Sequence, residues 1–167
     1  CEVLDYLWSG DRVVGVRTTR GDIGAGKVAA AVAGHTSVLA QKAGLRLPVE
    51  SHVLQAFVSE SVKPVVHHVV VWSATYFYVS QSDKGGLVFG GHIDRYNSYA
   101  QRGNLANVGE TMQGLASLVP FAARLRLLRH WGGIMDMTPD GSPIITTTPV
   151  PGFYLNGGWC YGGFKAT

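Results

Sequence analysis

The twelve residues from Asn156 to Thr167 hold four glycines, Gly157, Gly158, Gly162 and Gly163, and a lysine, Lys165, directly after the apolar run Phe153-Tyr154-Leu155. Glycines that follow a strand let the main chain take positive φ and come close to a bound group. A helix beginning just beyond them would aim its free N–H groups at negative charge. This spacing suits close backbone contact with a flat ligand. Thr167 is a reasonable N-cap for such a helix, and Cys1-Glu2-Val3 opens straight into a strand pattern, so the expectation is a piece of a longer protein.

A second junction of the same kind lies near the N-terminus. The run Ile23 to Ala33 has apolar residues on both faces, as a strand covered on both sides would, and Gly34-His35-Thr36-Ser37 leads from it into helix-like Val38 to Ala43. Strand, glycine turn and helix start predict a dinucleotide-type crevice at Gly34, although the full GxGxxG fingerprint is absent. A turn-only role is the plainer alternative for Gly34. Tyr76 and Tyr78 share one aromatic strand and serve either a ligand or ordinary packing. His67 and His68 are adjacent, so on a strand they point to opposite faces and do not share one ion; no metal site is expected. Asp94, Arg95 and Arg102 are read as ion pairs or, more commonly, a solvated loop.

These residues need elements to position them. Val3 to Trp8, Arg12 to Thr19 and the run from Ile23 read as a β-meander, its turns Ser9-Gly10-Asp11 and Arg20-Gly21-Asp22. His52 to Ser59, Val65 to Trp72, Tyr76 to Ser80 and Gly86 to Gly91 predict an antiparallel sheet. Helical spacing of Leu105, Val108, Met112, Leu115, Ala116 and Val119 predicts a helix over 104–119 that Pro120 ends. Arg124 to Leu127 alternates like a strand, and Ile134 to Met137 with Pro143 to Thr147 flank Pro139-Asp140-Gly141 as a hairpin.

Composition narrows the class. With 167 residues, 46% hydrophobic and 15% charged, the chain can bury a core. Its net charge of +3 is spread without a basic run, so no nucleic-acid partner is expected. Cys1 and Cys160 lack metal spacing or a disulfide framework, which points to a reducing, cytoplasmic compartment. The run Val28 to Ala33 is far below the ~20 residues that cross a bilayer, so no membrane association is expected.

The order of these pieces carries a resemblance. Val28 to Ser37, Ile93-Asp94-Arg95-Tyr96-Asn97, Tyr99-Ala100-Gln101-Arg102-Gly103, Trp131-Gly132-Gly133-Ile134, Thr138 to Pro143 and Gly162-Gly163-Phe164-Lys165 together resemble the C-terminal part of the D-amino-acid-oxidase-type superfamily of FAD-dependent oxidoreductases. Within it the β subunits of heterotetrameric sarcosine oxidases are most similar. The likeness covers essentially the whole chain.

The resemblance implies an α+β fold: a mixed or antiparallel sheet substrate domain with helices, plus the C-terminal part of an FAD-binding α/β domain. Residues 1–46 would belong to the FAD-binding domain, 47–130 to the substrate domain, and 131–167 would return to the FAD-binding domain. The implied reaction is flavin-dependent demethylation of sarcosine to glycine, formaldehyde and hydrogen peroxide. The alternatives are dimethylglycine or another N-methyl amino acid as substrate, or a non-catalytic interaction module derived from a flavoprotein. Lys165 would pair with the substrate carboxylate or with charge on the reduced flavin, and Tyr78 would contact substrate. Val3, Gly34, Tyr76, Gly133, Gly162, Gly163 and Lys165 would contact FAD. That FAD would be non-covalent, since Trp131 to Ile134 offers no cysteine. Apolar residues around Val88 and Phe89, where relatives place a lysine, imply that oxygen reacts at an FMN at the subunit interface instead. The implied partners are α, γ and δ subunits and tetrahydrofolate. The isolated fragment is expected to be inactive.

Overall fold

The computed structural model describes residues 1–73 and 77–163, which form two units. Residues 1–51 and 135–167 make the first and residues 52–134 the second.

In the first unit, β1 (Val3–Ser9), β2 (Arg12–Thr18) and β3 (Gly21–Gly24) form an antiparallel meander. The expected single strand from Ile23 to Ala33 is instead two. All of β3 is exposed at the meander's edge, and β4 (Val28–Ala30) belongs to another sheet. Gly24-Ala25-Gly26 makes the break, with Ala25 N donating to Val14 O and Arg12 donating to Gly26 O. A short 3-10 turn (Ala33–His35) and α1 (Thr36–Lys42) follow. Near the C-terminus, β10 (Ile144–Thr147) and β11 (Phe153–Gly157) pair antiparallel, and β11 runs parallel to β4 with Phe153 opposite Val28 and Leu155 opposite Ala30. Tyr6, Val13, Ala30, Ala40, Ala43, Phe153 and Leu155 make the core, with Tyr6 edge-on to Phe153.

The second unit is a five-stranded sheet ordered β6-β7-β8-β5-β9, built from β5 (Glu50–Ser61), β6 (Val70–Trp72), β7 (Phe77–Gln81), β8 (Gly86–Asn97) and β9 (Leu127–Met137). Strict alternation in β5 buries Val53, Gln55, Phe57 and Ser59 on one face and leaves His52, Leu54, Ala56 and Val58 half covered on the other. The buried face packs Phe57, Phe77, Val79, Leu87 and Phe89 against Leu115 of α2 (Leu105–Leu118). Asn104 caps this helix by accepting from Asn107 N at 3.0 Å. Gly114 is small for a reason: a Cβ there would stand 3.1 Å from Phe77.

Three other expectations differ from the structure. Residues 65–69 form no strand: the Gln81 amide ties down the segment that leads into them, accepting from Val65 N and Val66 N and donating to Val62 O and Lys63 O. Arg124 ends a 3-10 turn (Pro120–Arg124), and the strand starts only at Leu127. The Pro139-Asp140-Gly141 turn exists, with Gly141 at φ +72°, yet its flanks pair in different sheets rather than as a hairpin.

Candidate active site

The parallel pair β4 and β11 releases two loops from the same, carboxyl end of the strands, the position at which open α/β sheets bind ligands. From β4 the chain passes Ala33, at φ +45°, into the 3-10 turn with Gly34. From β11 it enters the glycine-rich loop, where Gly158 (φ +73°) and Cys160 (φ +52°) turn the backbone left-handed. Non-glycine residues seldom sit there, and Ala33 and Cys160 do so on the two loops that leave the same end of the parallel pair.

Specific bonds hold both loops. Gly34 is buried and its carbonyl accepts from Ser51 Oγ at 2.6 Å. Thr36 Oγ1 donates to Ala33 O at 2.6 Å, closing the turn ahead of α1. Buried Asp136 accepts from Gly158 N at 2.5 Å, and its carbonyl accepts from Cys160 N at 3.1 Å. The two loops meet at Gly157, where a Cβ would stand 2.8 Å from Thr36 Oγ1. Gly34 and the glycine-rich loop are thus brought together. Gly162 and Gly163 close a turn on Trp159, with Gly162 N donating to Trp159 O at 2.9 Å. Neither has positive φ, so that role falls on Gly158 and Cys160. Asp136 and the role of Thr36 escape the sequence reading. Their signal is an aspartate inside the apolar run Ile134 to Met137.

Val3 begins β1, half-buried opposite Thr18, in the meander rather than the β4–β11 sheet. In the second unit Tyr78 lies in β7 on the half-covered face of the sheet. Its hydroxyl overhangs Gly90, 3.1 Å from where a Cβ would stand, and burial pushes its pKa up. Gly133 in β9 is exposed, with no atom of another described residue within 4 Å of a Cβ position beyond its chain neighbours. Tyr76 and Lys165 lie outside the described residues.

Asp94 overturns its expectation as a solvated loop residue. It is 3% exposed, and its Oδ1 accepts from Gln55 Nε2, Asn104 Nδ2 and Asn107 Nδ2, each at 2.6 Å. A bulge in β8 aims it there: Ala56 faces Gly90 but Leu54 faces Ile93, so β8 carries one extra residue between those pairs. Asp94 is thereby turned to the α2 side.

Residues 1–167 match the family described as DAO, FAD dependent oxidoreductase. The chain belongs to this family of FAD-dependent oxidoreductases. It is similar to proteins named sarcosine oxidase subunit beta from Rhizobium meliloti (62% identical over 100% of this chain and 40% of that protein), Rhodobacter capsulatus (54%, over 99% and 40%) and Arthrobacter sp (53%, over 100% and 41%). This family member therefore spans about 40% of the length of the curated relatives it matches. The fold is that of L-proline dehydrogenase from P. horikoshii (TM-score 0.87, 24% identical, covering 98% of this chain and 45% of that one). It is equally that of glycine oxidase from Geobacillus kaustophilus (TM-score 0.83, 22% identical, covering 97% and 43%). Among the described residues no helix is long and apolar enough to cross a membrane, and no group of His, Cys, Asp or Glu is placed to hold a metal ion.

Proposed function

We propose that this chain is part of a sarcosine oxidase β subunit, a flavin-dependent enzyme that converts sarcosine, oxygen and water to glycine, formaldehyde and hydrogen peroxide. The observation that carries the reading is the 53–62% identity to three β subunits so named over essentially the whole chain. The glycine-bearing loops at the carboxyl ends of β4 and β11 support it. An FAD suits the glycine-rich loop: among the described residues only Trp159 O stands within 4 Å of a Cβ position at Gly162, so its backbone is open to a flat group.

Bound FAD supplies the redox chemistry, taking a hydride equivalent from the carbon next to the amine nitrogen. This chain binds and orients. In this reading residues 1–46 and 131–167 belong to the FAD domain and 47–130 to the substrate domain. Gly34, Gly162 and Gly163 give close backbone approach, Val3 serves the adenine end, and Tyr76 and Gly133 border the flavin. Lys165 gives the substrate carboxylate its cation. Tyr78 acts as a neutral hydrogen-bond donor, because burial keeps its proton on. The FAD is non-covalent. FMN, the α, γ and δ subunits, tetrahydrofolate as one-carbon acceptor and a cytoplasmic location complete the same proposal.

The test is anaerobic addition of sarcosine to the purified holoenzyme that contains this chain. Flavin absorbance is expected to bleach, and Lys165→Met to slow bleaching by about a hundredfold. Bleaching by dimethylglycine but not sarcosine moves the substrate assignment, and bleaching by neither favours the interaction-module alternative.

A further inference from the structure

The hydrogen bonds around Asp94 have only one consistent direction. Asn104 N donates to Gln55 Oε1 at 3.1 Å, and a backbone N–H is always a donor, so the Gln55 atom facing it is the oxygen. The other end of that amide, Nε2, then donates to Asp94 Oδ1. His130 Nε2 lies 2.5 Å from the same Gln55 oxygen, so it must carry a proton.

The imidazole has little freedom to do otherwise. It stacks on Phe57 with centroids 4.2 Å apart, and a Cβ on Gly103 would fall on its Cε1 and Nε2 atoms. Burial holds its pKa down, with Asp94 pulling the other way. Segment 98–104, which has no regular structure, is fastened here: Gly103 lies on His130, Asn104 bonds Gln55 and Asp94, and Arg102 backbone atoms stand 3.5 Å from a Cβ position at Gly132.

We propose that Asp94 and Gln55 are positioning residues that fix His130 as the Nε2–H tautomer and, through it, latch segment 98–104 and the first turn of α2 onto the sheet. The neutral ring then offers Nδ1 as an acceptor of defined direction. This inference is independent of the substrate.

Long-range 1H–15N correlation of the His130 ring tests the tautomer. A signature of protonated Nε2 is expected, and a protonated Nδ1 in the neutral ring overturns the proposal. In Asp94→Leu the ring is expected to show a mixture of tautomers. Amide exchange at Asn104 and Asn107 is expected to rise together, on the order of tenfold, while Phe57 and Phe89 stay protected. Unchanged tautomer and exchange in the folded variant overturn the proposal. Should Asp94→Leu not fold, Gln55→Met gives the same two readouts. Asp94→Asn, which keeps an oxygen for the three donors, is expected to restore both; failure to do so also overturns the proposal.

Discussion

Thr36 leaves no room for a side chain at position 157. A Cβ there would stand 2.8 and 2.9 Å from its Oγ1 and Cγ2, and the threonine is buried with its hydroxyl tied to Ala33 O. Gly157→Ala is therefore expected to cost ~1–3 kcal/mol, read as a lower urea midpoint in flavin-free protein. Tyr6 makes the opposite case. Its hydroxyl is buried without a hydrogen-bond partner among the described residues, and desolvation, with Asp5 adding to it, pushes the pKa up to about 12. Tyr6→Phe is expected to stabilise by about 1 kcal/mol, since an orphan polar group is removed. The raised pKa also sets a sign. Between about pH 10 and about pH 12 the unfolded tyrosine has lost its proton while the folded one keeps it, so stability falls with rising pH in that window. Denaturant midpoints across that range are expected to fall less steeply in Tyr6→Phe.

Counted from Gly90, the β8 bulge shifts the alternation by one residue and places Asp94 on the α2 side. Deleting His92 would remove the extra residue and the bulge together: Ile93 stays opposite Leu54, so Asp94 keeps the α2 side and stays the shared acceptor of the Gln55, Asn104 and Asn107 amides. A retained cooperative unfolding transition of residues 52–134, followed by circular dichroism, is the expected result, and its loss would show that the bulge itself is needed. Most elements are legible in the sequence because their signal is local. β5 shows period-two alternation, and α2 shows helical spacing with an asparagine cap and a proline stop. Pairing is not local. Nothing near Ile144 says that its strand joins β11 rather than β9, and the extra residue in β8 becomes visible only against β5. The same limit governs the candidate site. Gly34 and the glycine-rich loop stand out by composition, whereas Asp136, Thr36 and Asp94 matter through partners distant in sequence.

Across the whole molecule each unit has its own apolar core, and the five-stranded sheet ends in an apolar edge. Val69 and Val71 are 67% and 65% exposed in and beside β6, with Val65 and Trp72 also exposed. An unprotected apolar edge pairs readily with other chains. The isolated chain is expected to self-associate with rising concentration, and Val71→Lys to reduce that association, as measured by sedimentation velocity.

The parallel contact between Val28 and Phe153 also has a consequence for synthesis. On the ribosome β4 emerges before the whole of the second unit and its partner β11 only after it, so the first unit waits with an unpaired strand while residues 52–134 are made. A stop codon just before Phe153 would therefore remove β11, the partner of both β4 and β10, and with it the glycine-rich loop, while leaving every residue of the second unit in place.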